Sequence, residues 1–102
     1  MDEPDRYEVV LDCPTVSVYR QALVMQRCLQ LFAERNEIHQ DAWQPGGLRA
    51  NLVKLRLKVE RAWRQHWCTG LRPTEELLDA INYAVFCVRC ADDDDVTGGW
   101  EW

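Results

Sequence analysis

The stretch from residue 74 to residue 89, TEELLDAINYAVFCVR, constrains the fold more than any other part of the chain. Pro73 precedes it and acidic residues fill its first turn, which is the usual chemistry of a helix N-terminus. Apolar residues then lie on all sides of the predicted helix, as in a central, buried helix. The only charge between residues 77 and 88 is Asp79, and a buried carboxylate must be paired, hydrogen-bonded, protonated or bound to a cation. Asp79 is therefore the first candidate for a functional residue.

The composition suits one small domain. The chain has 102 residues and a hydrophobic fraction of 47%, enough for a single modest core. No apolar run approaches the roughly 18 residues that span a membrane, and no charged-then-apolar signal peptide begins the chain. We therefore expect a cytoplasmic protein without membrane contact.

The five cysteines are an odd number, and three of them (Cys28, Cys87 and Cys90) lie among apolar neighbours in predicted helices. We interpret all five as reduced thiols, as is usual in the cytosol, and expect no disulfides. The Cys87-x-x-Cys90 motif has no second cysteine pair and no nearby histidine pair, so zinc is not expected. Haem is not expected either.

A first helix is predicted from a cap at Thr15 to about Gln40. Its apolar stripe has the alternating four and three spacing of a helix face and comprises Val18, Ala22, Met25, Leu29 and Phe32. Asn36 and His39 continue the same line, so the stripe that faces the core becomes polar at its C-terminal end.

A second helix is expected over about residues 48–67, between the Pro45-Gly46-Gly47 break and a stop at Gly70. This segment has six basic residues and one acidic residue, a local charge of +5 in a chain whose net charge is −5. We expect a buried stripe on one side and a polar row beside it. The stripe comprises Leu48, Leu52, Leu55, Val59, Ala62, Trp63 and His66, and the row comprises Asn51, Lys54, Lys58, Arg61 and Gln65.

The predicted fold is all-α, with three main helices forming a bundle in a single domain. We expect residues 1–14 to form an arm packed on the body, residues 15–91 the helical core, and residues 92–102 an acidic tail. Trp100 and Trp102 in the tail are candidate contacts for a protein partner. Because three helices do not readily cover a central helix that is apolar on both faces, we expect a homo-oligomer in which a second subunit completes the bundle.

Two pairs of acids have the spacing of helix neighbours. Glu76 and Asp79 are three residues apart, which puts about 5–6 Å between Cβ atoms, and two such carboxylates can share a hard cation such as Mg²⁺. Alternatively, Glu76 only complements the helix dipole and Asp79 pairs with an arginine of the second helix. Glu34 and Glu37 form the second pair, and acids on facing helices build metal sites inside bundles. Glu37 borders the apolar stripe, whereas Glu34 points away from it and is better interpreted as solvated.

Several other polar residues are candidates for binding a ligand. Lys54, Lys58 and Arg61 could contact phosphate oxygens, or they could form a solvated helix face. The overall acidity and the absence of a DNA-reading motif make duplex DNA an unlikely partner.

Three residues at the border of the core could line a pocket. Asn36 and His39 extend the apolar stripe of the first helix, and a hydrogen-bonded His39 is a better interpretation than a metal ligand. Asn82 needs partners for its amide, and it could orient a carboxylate, a base or a sugar hydroxyl.

The motif Glu76-x-x-Asp79, followed by an apolar helix with Asn82-Tyr83-Ala84, resembles the second acidic motif, E-x-x-D, of the MazG-type all-α nucleoside triphosphate pyrophosphatases. Glu34-x-x-Glu37 is similar to the first motif of that family, E-x-x-E. More narrowly, the succession AERNEIHQDAW, NLVKLRLKVERAW and LLDAINYAVF resembles a small phage family associated with nucleotide modification. The resemblance covers roughly residues 31–89.

The resemblance implies a helical bundle assembled across subunits, with Mg²⁺ held by Glu34, Glu37, Glu76 and Asp79. The resemblance also implies that Lys58 lies where a positively charged side chain would bind a phosphate group of the substrate. The implied reaction is hydrolysis of a (deoxy)nucleoside triphosphate or modified nucleotide to a monophosphate and pyrophosphate. A phage protein of this kind would act in the cytoplasm of the infected bacterium.

Three hypotheses for the function follow. In an enzyme, Glu37, Glu76 and Asp79 would hold Mg²⁺, which polarises the α-phosphate and activates a water, while Lys58 and Arg61 would stabilise the leaving pyrophosphate. In a binding module, the same scaffold would hold a nucleotide, a signalling nucleotide or a host protein without turning it over. A third possibility is a phage accessory subunit whose polar residues only tune assembly.

Overall fold

A computed structural model of the protein describes residues 7–92. These residues form three α-helices, α1 (Val16–His39), α2 (Gly47–Arg64) and α3 (Thr74–Asp92). A π-helical turn, Gln65–Thr69, extends α2. No strand occurs in this part of the chain. The all-α class and the three main helices are as predicted, whereas the closed bundle and its completion by a second subunit stay predictions.

The helix ends follow the local chemistry expected from the sequence. The Thr15 hydroxyl accepts a hydrogen bond from the Val18 amide at 3.1 Å, which satisfies a donor that has no partner within α1. Gln40 ends α1 in the left-handed conformation with φ 47°, and its amide donates to the Asn36 carbonyl at 2.8 Å. Gly70 adopts φ 71° after the π-helical turn, a conformation that costs glycine little.

The third helix packs along α2 and, over a shorter length, against α1. Its buried residues are Leu78, Asp79, Ala80, Asn82, Phe86, Cys87 and Cys90. Its other side remains open, since Leu77, Val85 and Val88 are exposed. The helix predicted to be buried all round is therefore buried on one face within a single chain.

The buried side of α2 matches the predicted stripe only in part, at the buried Ala62 and the half-buried Leu48 and Leu55. Leu52, Val59 and Trp63 are exposed, while Asn51 is buried and Lys58 is half-buried against α3. For the exposed members of the stripe the prediction was wrong, because it treated the neighbouring polar side chains as outward-facing. Here the Asn51 amide is hydrogen-bonded and the Lys58 ammonium is ion-paired, so the usual cost of burying them is offset.

A small core forms where the loop after α1 meets the end of α3. Trp43, Phe86 and Cys90 are buried there, with Phe32 and Tyr83 packed against them. The link between these elements is the Asn51 amide. It donates to the carbonyls of Trp43 and Gly47 at 3.0 and 2.8 Å and contacts the Cys90 sulfur at 3.8 Å.

The loop approaches α2 closely at Gly46. A Cβ atom at that position would lie 2.6 Å from the Ala50 Cβ, a distance that requires the backbone to move. Glycine therefore permits the tight turn that brings Trp43 onto the core.

The described part of the N-terminal arm, residues 7–14, has no regular secondary structure. Tyr7, Val9, Val10 and Leu11 are exposed, so the prediction that the arm packs on the body was wrong for these residues. The acidic tail beyond Asp92, with Trp100 and Trp102, lies outside the described residues. None of the helices in residues 7–92 combines the length and the apolar character needed to cross a bilayer.

Candidate functional site

A cavity of about 260 Å³ opens between the C-terminal end of α1, the loop that follows it, and the facing sides of α2 and α3. It combines aromatic rings, amides, cations and one carboxylate. The lining residues are Phe32, Arg35, Asn36, His39, Ala42, Trp43, Lys54, Asp79, Asn82, Tyr83 and Phe86. With His39 neutral, Arg35 and Lys54 are positive and Asp79 is negative, so the wall carries a net charge of +1.

Asp79 is held between two cations from different helices. Arg35 of α1 donates from Nη1 to Oδ1, and the Lys58 ammonium of α2 lies 3.0 Å from Oδ2. The Asp79 side chain is only 6% exposed, so these contacts replace the water that it loses on folding. The alternative to a metal site was that Asp79 pairs with an arginine of the second helix. In the structure the arginine comes from the first helix, and the second helix supplies the lysine.

Glu76 shares Lys58 with Asp79. The Glu76 Oε2 atom lies 3.4 Å from the Lys58 ammonium, yet it is buried and has no hydrogen-bond partner among the described residues. Lys58 thus lies between two carboxylates that are three residues apart on α3. Glu76 and Asp79 are neighbours on α3, as their spacing predicts, and both contact the same cation.

An aromatic wall faces these charges. Trp43 and Phe86 stack with ring centroids 4.5 Å apart and an interplanar angle of 10°. Phe32 and Tyr83 meet Phe86 edge-on, at centroid distances of 5.1 and 5.5 Å. Both edge-on rings are half-buried and line the cavity, and the Lys54 ammonium lies 5.9 Å from the centroid of Tyr83. A planar ligand ring can therefore contact Phe32 or Tyr83 with a cation nearby.

Two amides on the cavity wall are held by the backbone. The Asn36 Oδ1 atom accepts a hydrogen bond from the Asp41 amide at 2.7 Å, which also stabilises the end of α1. Asn82 donates from Nδ2 to the Cys28 carbonyl at 3.0 Å. Since each amide keeps further hydrogen-bonding capacity, both can contact a ligand from fixed positions.

The structure brings most of the sequence-predicted site residues together. Asn36, His39, Lys54, Asp79 and Asn82 line one cavity, and Lys58 and Glu76 adjoin it through Asp79. It does not bring Glu34, Glu37 or Arg61 there: all three are exposed and none lines the cavity.

Arg35 and Asn51 were not among the predicted site residues. A signal for Arg35 exists, because it follows Phe32 by three residues and so borders the same helix face. Asn51 was assigned to the polar row of α2, and its burial depends on carbonyl groups that the loop supplies.

Binding of Mg²⁺ by the carboxylates that the resemblance assigns to it stays a prediction. Within residues 7–92, no group of three or more His, Cys, Asp or Glu side chains is arranged to hold a metal ion. The Glu76 Oε2 atom has no hydrogen-bond partner among the described residues and would suit a cation, but the Lys58 ammonium already lies between it and Asp79.

All five cysteines are free thiols in the structure. Burial raises the pKa of the Cys28 thiol above its ordinary value of 9.0. Burial also raises the pKa of the Cys87 thiol, and the neighbouring Cys90 adds to the shift. These two thiols are protonated at neutral pH and are poor nucleophiles.

No protein-family model matches the chain, and comparisons with curated proteins and with solved structures find no match either. The resemblance to the MazG-type pyrophosphatases therefore stays a prediction based on the short motifs alone.

Proposed function

We propose that the protein binds a nucleotide, or another small molecule that joins a planar ring to an anionic group, in the cavity between α1, α2 and α3. One observation carries the proposal: half-buried aromatic rings and cations lie on the same cavity wall. Phe32 and Tyr83 offer ring contacts, and Lys54 and Arg35 offer positive charge. Ligand sites of this kind are largely apolar with a few convergent polar groups.

The two amides give the cavity a means of discrimination. Asn36 and Asn82 each have one hydrogen bond to the backbone, so their orientation is set before a ligand arrives. A base or sugar edge that matches the remaining donors and acceptors would be favoured. A ligand that leaves them unpaired would lose about 1–3 kcal/mol for each buried group.

Isothermal titration calorimetry with a panel of nucleosides and nucleotides tests the proposal. Tyr83→Ala and Lys54→Ala should each weaken binding about tenfold, which corresponds to ~1.4 kcal/mol. Arg56→Ala is the matched control, because its exposed side chain pairs with Glu60 on α2 and lines no part of the cavity. No heat of binding with any member of the panel would refute the proposal, and so would equal losses in all three variants.

Hydrolysis of a nucleoside triphosphate, as the resemblance implies, is the second candidate. The observation that favours it is the buried Glu76 Oε2 atom without a hydrogen-bond partner among the described residues. Incubation of the (d)NTP panel with Mg²⁺ should then release pyrophosphate, and Glu76→Ala and Asp79→Ala should both be inactive. Equal rates in the wild type and both variants would eliminate this candidate.

A second copy of the chain is the proposed partner. Each helix carries large apolar side chains that a single chain leaves exposed, and extensive exposed apolar surface usually marks an interaction site. They include Val18, Met25 and Leu29 on α1, Leu52, Val59 and Trp63 on α2, and Leu77, Val85 and Val88 on α3. A homo-oligomer would cover these faces and complete the bundle.

A further inference from the structure

The Lys58 ammonium lies between the two carboxylates that the sequence pattern pairs for a metal. It is 3.0 Å from Asp79 Oδ2 and 3.4 Å from Glu76 Oε2. Magnesium binds carboxylate oxygens at about 2.0–2.1 Å and requires near-octahedral geometry. A magnesium ion bridging Glu76 and Asp79 would have to enter the space that the ammonium holds.

The charges around Lys58 are already balanced. Arg35 and Lys58 supply two positive charges, and Glu76 and Asp79 supply two negative charges. The Lys58 side chain is only 19% exposed, so its attraction to the carboxylates is screened less than it would be at the surface. A divalent cation would therefore meet no net negative charge, unless Lys58 first left both partners.

The size of the cavity limits the ligand as well. Pockets for drug-sized ligands span about 300–1,000 Å³. This cavity has about 260 Å³, and its wall has a net charge of +1 with His39 neutral. It suits one ring system with one anionic group better than a chain of three phosphates with its metal.

We infer that the cavity takes a compact ligand, of the size and charge of a nucleoside monophosphate, without a divalent cation, and that Lys58 is the internal counter-ion in the position a metal would need. This inference rests on the proposed nucleotide binding. Lys58 is a positioning residue: it holds Asp79, and Asp79 orients Arg35 at the cavity wall.

Two titrations of the whole 102-residue chain test the inference. In calorimetry, nucleoside monophosphates should bind equally well in EDTA and in Mg²⁺, and more tightly than the matching triphosphates with Mg²⁺. In electron paramagnetic resonance, Mn²⁺ should remain free in the presence of the wild-type protein.

Variants at Lys58 separate its charge from its size. Lys58→Met leaves Glu76 and Asp79 without their shared cation and should create Mn²⁺ binding, whereas Lys58→Arg keeps the charge and should not. Circular dichroism checks that both variants fold. If Lys58→Met does not fold, the two wild-type titrations still decide the question.

Some outcomes would overturn the inference. Mn²⁺ bound by the wild type would do so, as would nucleotide binding that requires Mg²⁺, and either result would favour the hydrolase candidate. A folded Lys58→Met variant that fails to bind Mn²⁺ would also count against it. If no nucleotide binds under any condition, the proposed function fails, while the Mn²⁺ titrations still report on the role of Lys58.

Discussion

Asp79 connects all three helices through one carboxylate. Arg35 of α1 and Lys58 of α2 contact its two oxygens, so this residue of α3 fixes the position of its neighbours at the cavity. A lone acid in an apolar helix breaks the expected pattern, and for that reason Asp79 could be found from the sequence. Arg35 could not be found as readily, because its side chain is 46% exposed and its spacing is also compatible with an ordinary surface residue.

We predict that Asp79→Asn lowers the free energy of unfolding by about 2 kcal/mol, because it leaves Arg35 without its counter-charge and Lys58 with only one. The half-exposed Arg35 keeps the loss below that of a fully buried pair. Urea denaturation measures the difference. The control is Glu60→Gln, which removes an exposed helix pair worth about 0.3–0.5 kcal/mol. Equal, small losses in both variants would contradict the anchoring role of Asp79.

The buried thiols predict a pH dependence of stability. The pKa of Cys28 is raised above 9.0 by burial, so above pH 9.0 the folded state keeps a proton that the unfolded chain loses. The contribution of Cys28 to the free energy of unfolding is therefore fully present below pH 9.0. It is lost as the pH rises through the pKa that this thiol has in the folded state.

Denaturation at a series of pH values should give a shallower alkaline decline for Cys28→Ala than for the wild type. The exposed Cys68 provides the control, and Cys68→Ala should follow the wild type. Identical slopes for all three proteins would rule out this source of the pH dependence.

Among the three helices, α2 differs most from what its sequence predicts. Its bounds and its stop at Gly70 could be predicted from local signals, because breaks and caps depend on neighbouring residues. Its buried face could be predicted only in part, at Ala62, because burial of Asn51 and Lys58 depends on partners from the loop and from α3. Periodicity alone favoured Leu52, Val59 and Trp63, which a single chain leaves exposed.

We predict that Asn51→Ala destabilises the fold by about 3 kcal/mol, because the carbonyls of Trp43 and Gly47 lose a buried donor, at about 1–3 kcal/mol each. The exposed Arg49 on the same helix is the control, and Arg49→Ala should change stability by less than about 0.5 kcal/mol. Chemical denaturation compares the two. A loss below 1 kcal/mol for Asn51→Ala would show that the loop does not depend on this amide.

At the scale of the whole molecule, one chain is an open arrangement in which α3 is covered on one side only. The sequence predicts that a second subunit covers the other side, since a helix that is apolar on both faces requires more cover than two other helices supply. It does not predict which surfaces meet, because that depends on how the helices cross.

Light scattering should give a mass above that of the 12.0 kDa chain at tens of micromolar protein. Leu29→Glu combined with Val88→Glu, two exposed apolar positions on α1 and α3, should give a monomer that keeps its helical content. Arg49→Glu is the control on a charged surface and should leave the mass unchanged. A monomeric wild type would refute the proposed oligomer.

The most direct test of the ligand cavity is an amide and indole NMR spectrum recorded during titration with a nucleoside monophosphate in EDTA. Binding in the cavity should shift the signals of the Trp43 indole and of the side-chain amides of Asn36 and Asn82, which lie on the cavity wall. The exposed Trp63 and Trp67 indoles lie outside the cavity and should not shift. Shifts confined to Trp63 and Trp67, or no shifts at all, would contradict it.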